Sequence, residues 1–178
     1  MKYIKINLKK KIFISFMNKK KIKAIAVINN KKCKGSINIK ELNQGIQFDI
    51  NLSGMTPGLH GFHIHEAGNL EEGCKSCCSH FNPLNKEHGG PWEINGKNRH
   101  LGDLGNIKAD KKGNSKCIIY DKYLQLRGSK YNIIGRSIII HEDEDDLGRG
   151  NNPESKKTGN AGARIGCGVI GYKEVFYF

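Results

Sequence analysis

Six of the chain's seven histidines fall between His60 and His100, and Asp103 follows three residues later. Imidazole is the commonest biological metal ligand, and its neutral form suits copper and zinc. His63 and His65 sit two apart in Gly61-Phe62-His63-Ile64-His65. Strand side chains alternate, so both rings project from one face while Phe62 and Ile64 face the other way. His80, His88 and His100 are separated by Gly, Pro and Asn, which suits a folded-back loop, and Asp103 adds an oxygen ligand. The seventh histidine, His141, opens the acidic run HEDEDDLGRG. A single histidine of this kind reads as a surface residue. Grouped with an aspartate, six read as a metal site.

Side chains with this task need a rigid frame, and the rest of the chain reads as one. Residues 46–52 alternate throughout, and residues 34–40 place Ile37 and Ile39 on one face. Further strands are predicted at 22–28, 59–66, 104–109, 115–121, 133–141 and 166–172. Asn29-Asn30, Asn43-Gln44-Gly45 and residues 110–114 are turn material between them. Two long connections, 67–102 and 142–165, show almost no periodicity. A loop of that length is functional or disordered, and the density of ligands decides for function. Short strands with intervening turns argue for an antiparallel sandwich or barrel. At 178 residues, with no internal repeat, one domain with a sizeable core is expected. Abundant glycine (22) beside four prolines fits many turns, and no apolar run approaches a membrane span.

The motifs HGFHIHEAG, GCKSCCSHFNP, HGGP, RHLGDLGN, IIGRSIIIHE, DDLGRG and KTGNAGARIGCGVIG resemble, in order, those of the copper/zinc superoxide dismutases. The resemblance runs over residues 22–171. It implies an all-β, eight-stranded antiparallel Greek-key β-barrel, an immunoglobulin-like sandwich with two long functional loops. It also implies copper held by His63, His65, His80 and His141, and zinc held by His80, His88, His100 and Asp103. His80 would serve both ions, one through each ring nitrogen. Asp145 would hydrogen-bond His63 and His88, fixing ring orientation. Arg164 would orient superoxide beside the copper, with Lys157, Thr158 and Glu154 guiding it in. Pro153 stands where the family commonly has an acid, which alters that guidance. His60 would be structural. The implied activity converts superoxide to oxygen and hydrogen peroxide by alternate reduction and reoxidation of copper. Competing readings on the same barrel are a copper chaperone or buffer and a zinc-only module. The presence of all four copper ligands and Arg164 favours the enzyme.

Cysteines and termini carry the remaining expectations. The resemblance implies a Cys74–Cys167 disulfide, whose 93-residue separation is worth about 4–5 kcal/mol of loop-closure entropy. Cys33 and Cys117 lie in predicted strands and read as buried, inert thiols. Cys77 and Cys78 make C-x-x-C-C-x-H with Cys74 and His80. They read as a transient copper-acceptance site or rival disulfide partner, or as drift in an exposed loop. Of 30 basic side chains, eight lysines fall in residues 1–21 with no acid; the rest of the chain holds 22 against 17 acids. This basic extension reads as disordered, ahead of a dismutase-like domain at 22–178. It either solubilises or meets a polyanion. Its apolar centre, Ile12 to Phe16, falls short of a secretory signal, so a cytoplasmic location is expected, and Met17 offers a second translation start. Expected partners are superoxide as substrate, a copper chaperone as metal donor, and a second copy in a homodimer. Ala67 at the family's dimer contact, the aromatic end Glu174 to Phe178 and the lengthened stretch Trp92 to Arg99 depart from common members.

Overall fold

The structure is a computed structural model and describes residues 21–92 and 98–174. Eight strands run in the order β1 (Lys23–Asn30), β2 (Cys33–Glu41), β3 (Ile46–Ser53), β4 (Gly58–His65), β5 (Asp103–Ala109), β6 (Ser115–Asp121), β7 (Ser137–His141) and β8 (Arg164–Tyr172). All neighbours pair antiparallel, in the order β5-β4-β7-β8-β1-β2-β3-β6. The β3–β6 and β4–β7 pairs each skip two strands, which makes the Greek key. At the ends of this order β5 lies against β6 without a hydrogen-bonded ladder, so the barrel is nearly closed.

Isoleucine and phenylalanine at alternate positions build the interior. Ile37 pairs with Ile50 and Ile39 with Phe48 across β2 and β3, all buried. Branched and aromatic pairs of this kind pack well on a pleated surface. Phe48 reaches across the barrel to Phe62 in an edge-on contact, ring centroids 6.1 Å apart.

Two strands depart from the half-buried pattern, and both carry histidines. Phe62, Ile64, Ile138 and Ile140 of β4 and β7 join the main core, yet His63, His65, Ile139 and His141 are buried as well. The outer face of this wall is covered by the long loops rather than by water. Backbone hydrogen bonds Glu66 N to Ser79 O, Phe81 N to Ile64 O and Gly102 N to Phe81 O lash the first loop along β4.

Several boundaries differ from expectation. β7 begins at Ser137, because a left-handed turn at Gly135 (φ 81°) separates the strand from Ile133, which still packs into the core. β8 begins at Arg164, so the second long loop ends at 163 and the guanidinium rides on a strand. Each loop also contains a helical turn: a 3-10 helix at Gly73–Cys77, and α1 at Ser155–Thr158. Cys33 is fully buried, and burial pushes its thiol up to about 11. Cys117 is only half-buried: it packs against the core from the inner side of β6, but β6 is an edge strand and covers it incompletely. Cys77 is sealed in the interior rather than in an exposed loop; Cys78 is exposed. Residues 1–20 of the basic extension, residues 93–97 of the stretch expected to be lengthened and the aromatic end 175–178 lie outside the described residues. Among the described residues no helix is long and apolar enough to cross a membrane.

Since Phe48 touches both walls, Phe48→Ala should cost about 3–5 kcal/mol. Equilibrium urea unfolding of the metal-free protein measures it; a loss under about 1 kcal/mol would contradict this packing.

Candidate metal centre

β4 supplies His63 and His65, and β7 supplies His141. Across that wall His63 pairs with Ile139 and His65 with Ser137. An isolated bridge sets His80 against His65. The ring nitrogens of His63, His65, His80 and His141 lie within 4.8 Å of one another, and so do the donor atoms of His80, His88, His100 and Asp103. His80 belongs to both groups.

The second contact each ring makes decides which nitrogen is left over. His63 donates from Nε2 to Asp145 Oδ2 at 2.8 Å, and His88 donates from Nε2 to Asp145 Oδ1 at 2.7 Å. His65 donates from Nδ1 to the Cys78 carbonyl at 2.9 Å, and His141 from Nδ1 to the Gly162 carbonyl at 3.1 Å. The opposite nitrogens, His63 Nδ1, His65 Nε2, His88 Nδ1 and His141 Nε2, together with His80 Nε2, are buried without a hydrogen-bond partner. Five buried ring nitrogens left without a partner in this way could serve as donors to cations, since an unpartnered buried acceptor is otherwise costly.

Spacing in the second group points the same way. Asp103 Oδ1 lies 2.7 Å from His80 Nδ1, 3.1 Å from His88 Nδ1 and 3.2 Å from His100 Nδ1. His80 Nδ1 is 3.4 Å from His100 Nδ1. A tetrahedral ion with bonds of 2.0–2.1 Å has edges of roughly 3.3 Å, so three imidazoles and a carboxylate at these spacings fit a zinc-like ion. The other oxygen, Asp103 Oδ2, accepts from the backbone N–H groups of Gly89 (3.2 Å) and His100 (2.9 Å).

Electrostatics follow burial first and neighbours second. Burial, then the ring of His63, pulls His80 down to about 4 and His141 down to about 2. Burial and then His80 drive His65 well below the usual imidazole range. These three rings are neutral near pH 7, as ligands must be. Burial alone would raise Asp103 and Asp145, but hydrogen bonds from the surrounding histidines outweigh it and hold both carboxyls low. Burial alone would lower His88; the Asp103 carboxylate, 3.1 Å from Nδ1, and the hydrogen bond to Asp145 outweigh that and lift it to about 9. A proton on His88 takes the place a cation would fill.

A channel of about 1000 Å³, open to solvent, is lined by His65, His80, His141 and Arg164. The guanidinium of Arg164 donates to the carbonyls of Cys74 (2.7 Å), Lys75 (3.3 Å) and Cys78 (2.7 Å). Lys157, Thr158 and Glu154 line the mouth, where the Thr158 hydroxyl donates to Glu154 Oε1 at 2.7 Å. Pro153, Lys156 and Lys86 line it too. The Cys74–Cys167 disulfide is formed, joining the first loop to β8. His60 is buried beside this wall but outside both groups, with Nδ1 2.8 Å from His141 O and Nε2 2.8 Å from Thr56 O.

The family profile described as Copper/zinc superoxide dismutase (SODC) matches residues 33–170. This chain belongs to the copper/zinc superoxide dismutase family. A Superoxide dismutase [Cu-Zn] of Paramecium bursaria Chlorella virus 1 is 54% identical over 159 residues, 88% of this chain and 82% of the relative. An Extracellular superoxide dismutase [Cu-Zn] of Haemonchus contortus is 49% identical over 80% of this chain and 76% of its own. Among solved structures, the clock protein EA4 is similar at a TM-score of 0.79 and 43% identity, covering 84% of this chain and 93% of its own.

Three residues of this dismutase fold escaped the sequence reading. The Asn106 side chain accepts from Asp145 N and donates to Asp145 O, both at 2.8 Å, and so seats the carboxylate. Arg99, 1% exposed, donates to the carbonyls of His100, Leu101 and Asp103 and pairs with Asp121, clamping the end of the first loop. Cys78 contributes its carbonyl, and no side-chain pattern announces that. Asn106 stands inside a quoted motif, but the partner that explains it lies 39 positions away. Gly159 (φ 70°) lets the end of α1 press in, since a Cβ there would fall 1.9 Å from Asp145 Oδ1.

Asp145→Ala should weaken metal retention about 10–100-fold by freeing His63 and His88, measured against a competing chelator. Unchanged retention would mean that the carboxylate positions nothing. Because His88 is raised to about 9, it is protonated at pH 7 in the metal-free protein, and an ion must displace that proton. Zinc binding should therefore release a proton near neutrality and weaken by about tenfold per pH unit on acidification below about 9. Calorimetry in buffers of different ionisation enthalpy reads the proton count; zero would contradict the assignment.

Proposed function

We propose that this chain dismutates superoxide at the His63, His65, His80 and His141 cluster, with a structural zinc at His80, His88, His100 and Asp103. Two superoxides and two protons give one oxygen and one hydrogen peroxide. The observation that carries the reading is the set of five buried, unpartnered imidazole nitrogens, grouped around a histidine shared by both donor sets. Copper, when bound, supplies the one-electron redox chemistry, and zinc supplies a redox-inert charge in a closed site.

The chain's own residues do the rest. Arg164 is permanently charged and presents a planar donor fork, held by three carbonyls, so it orients a small anion in the channel. His80 Nε2 is the nitrogen of the shared ring on the channel side, and there it carries a proton toward the peroxide. Burial pulls that ring toward neutrality, so a proton received there is readily given up. Lys157 and Thr158 act at the mouth, where positive charge raises the encounter rate with an anion and salt screens it. Glu154, tied to Thr158, sets the orientation of that rim.

The same reading extends to assembly and place. Val27 is 61% exposed on β1, with Ile25 and Val169 on the same outer side of the β1–β8 wall, and an apolar patch there suits a homodimer. A copper chaperone remains the metal donor in this reading, and the basic extension a candidate contact for polyanions. Four free thiols suit a reducing, cytoplasmic compartment.

Dismutation should appear with copper plus zinc and be absent with zinc alone. Arg164→Ile should lower the rate by at least about tenfold while both metals stay bound, by elemental analysis, since His65 keeps its own hydrogen bond to the Cys78 carbonyl when the guanidinium is lost. Equal rates would remove Arg164 from the mechanism.

A further inference from the structure

Three of the six cysteines converge at one point outside the metal centre. Cys74 and Cys167 are joined, and Cys77, fully buried, packs with Cys167, Ile139 and Cys74 in a cluster separate from the main core. Cys74 and Cys77 belong to the 3-10 helix, three residues apart. Side chains at that spacing eclipse in a 3-10 turn, so the two sulfurs share one side of it. Asn30, at the end of β1, adds a polar feature to this apolar cluster. Its Nδ2 lies 3.7 Å from the sulfur of Cys74 and 3.7 Å from that of Cys167, while its Oδ1 accepts from Cys167 N at 2.9 Å. An N–H donor directed at a disulfide sulfur stabilises the negative charge that gathers there when the bond breaks. Cys78 takes no part: it is exposed, with its sulfur 3.8 Å from the Ser76 carbonyl.

We propose that Cys77 is a built-in exchange partner for the Cys74–Cys167 disulfide. The deprotonated sulfur of Cys77 attacks the sulfur of Cys74. A Cys74–Cys77 bond forms as the Cys74–Cys167 bond breaks, and the electron pair leaves on Cys167, beside the Asn30 amide. Cys167 then takes the proton that Cys77 gave up. One disulfide and one thiol stand on each side, so no outside oxidant or reductant is needed. Because Cys77 is sealed from solvent, this route is intramolecular and does not wait for a bulk thiol.

The consequence reaches the channel. Cys74, Lys75 and Cys78, whose carbonyls hold the Arg164 guanidinium, all lie in the loop that the disulfide ties to β8. Exchange releases the loop from β8 while its sulfurs stay oxidised. The Arg164 anchor thereby gains a second covalent state, interconvertible with the first at no net redox change.

The test uses the full-length, metal-loaded protein equilibrated in a glutathione redox buffer. The sample is quenched with acid, alkylated with N-ethylmaleimide under denaturing conditions and mapped by peptide mass. The expected result is a second population with Cys74 bonded to Cys77 and Cys167 alkylated, at least about tenfold above that in Cys77→Ser, which keeps only Cys74–Cys167. Cys167→Ser should carry the Cys74–Cys77 bond in the same buffer, and Asn30→Ala should approach the wild-type ratio more slowly. Cys167 alkylation equal in wild type and Cys77→Ser would overturn the proposal, as would free Cys74 and Cys77 in Cys167→Ser. A Cys77–Cys167 bond with Cys74 alkylated would overturn the choice of attacked sulfur.

Discussion

The structure turns on one imidazole that faces two ways. His80 presents Nδ1 to a carboxylate and two rings on one side, and Nε2 to three rings on the other. Neither nitrogen is exposed to water, and each unpartnered buried acceptor costs about 1–3 kcal/mol in the metal-free protein. Four such nitrogens, of His63, His65, His80 and His141, are held together here, which no loosely organised loop could sustain. The barrel offsets that cost with a core it would need in any case. The loops then fix every ring through its second nitrogen, so the unsatisfied atoms have nowhere else to turn.

That arrangement explains why β4 and β7 are buried on both sides. A period-2 strand normally divides its residues between core and water. Here the outward residues are histidines, and the first loop, lashed along β4 by backbone hydrogen bonds, becomes the third layer. Asp145 arrives from the second loop and spans His63 and His88, so the two donor sets share a carboxylate as well as a ring. Displacing either loop would loosen both sets together.

Much of this was legible because metal ligands are few in type and strands repeat every two residues. His63 and His65 declared both their chemistry and their shared face, and the alternation at 46–52 fell in the observed strand. What stayed hidden was carried by backbone atoms or by partners far along the chain. The carbonyl of Cys78 holds His65 and Arg164, yet a carbonyl has no residue type. Cys78 also adopts φ 61° and ψ −153°, a conformation essentially confined to glycine, at a position where side-chain identity suggests only a thiol. Asn106 and Arg99 look like ordinary polar residues until the fold brings Asp145 and Asp121 to them. The start of β8 was misplaced because glycine-rich, charged residues before it hid a strand whose first residue is Arg164. The burial of Cys77 depended on a 3-10 turn too short to leave a periodic trace.

The last strand closes what the first one opened. β8 pairs with β1 on one edge and β7 on the other, and it brings both Arg164 and Cys167. During synthesis, then, every histidine of the two donor groups is made before the strand that seals the wall behind them. Until that moment the histidines of β4 lack their neighbour across β7, and the channel lacks Arg164. Both donor groups therefore precede, along the chain, the arginine and the sulfur that fix the wall around them.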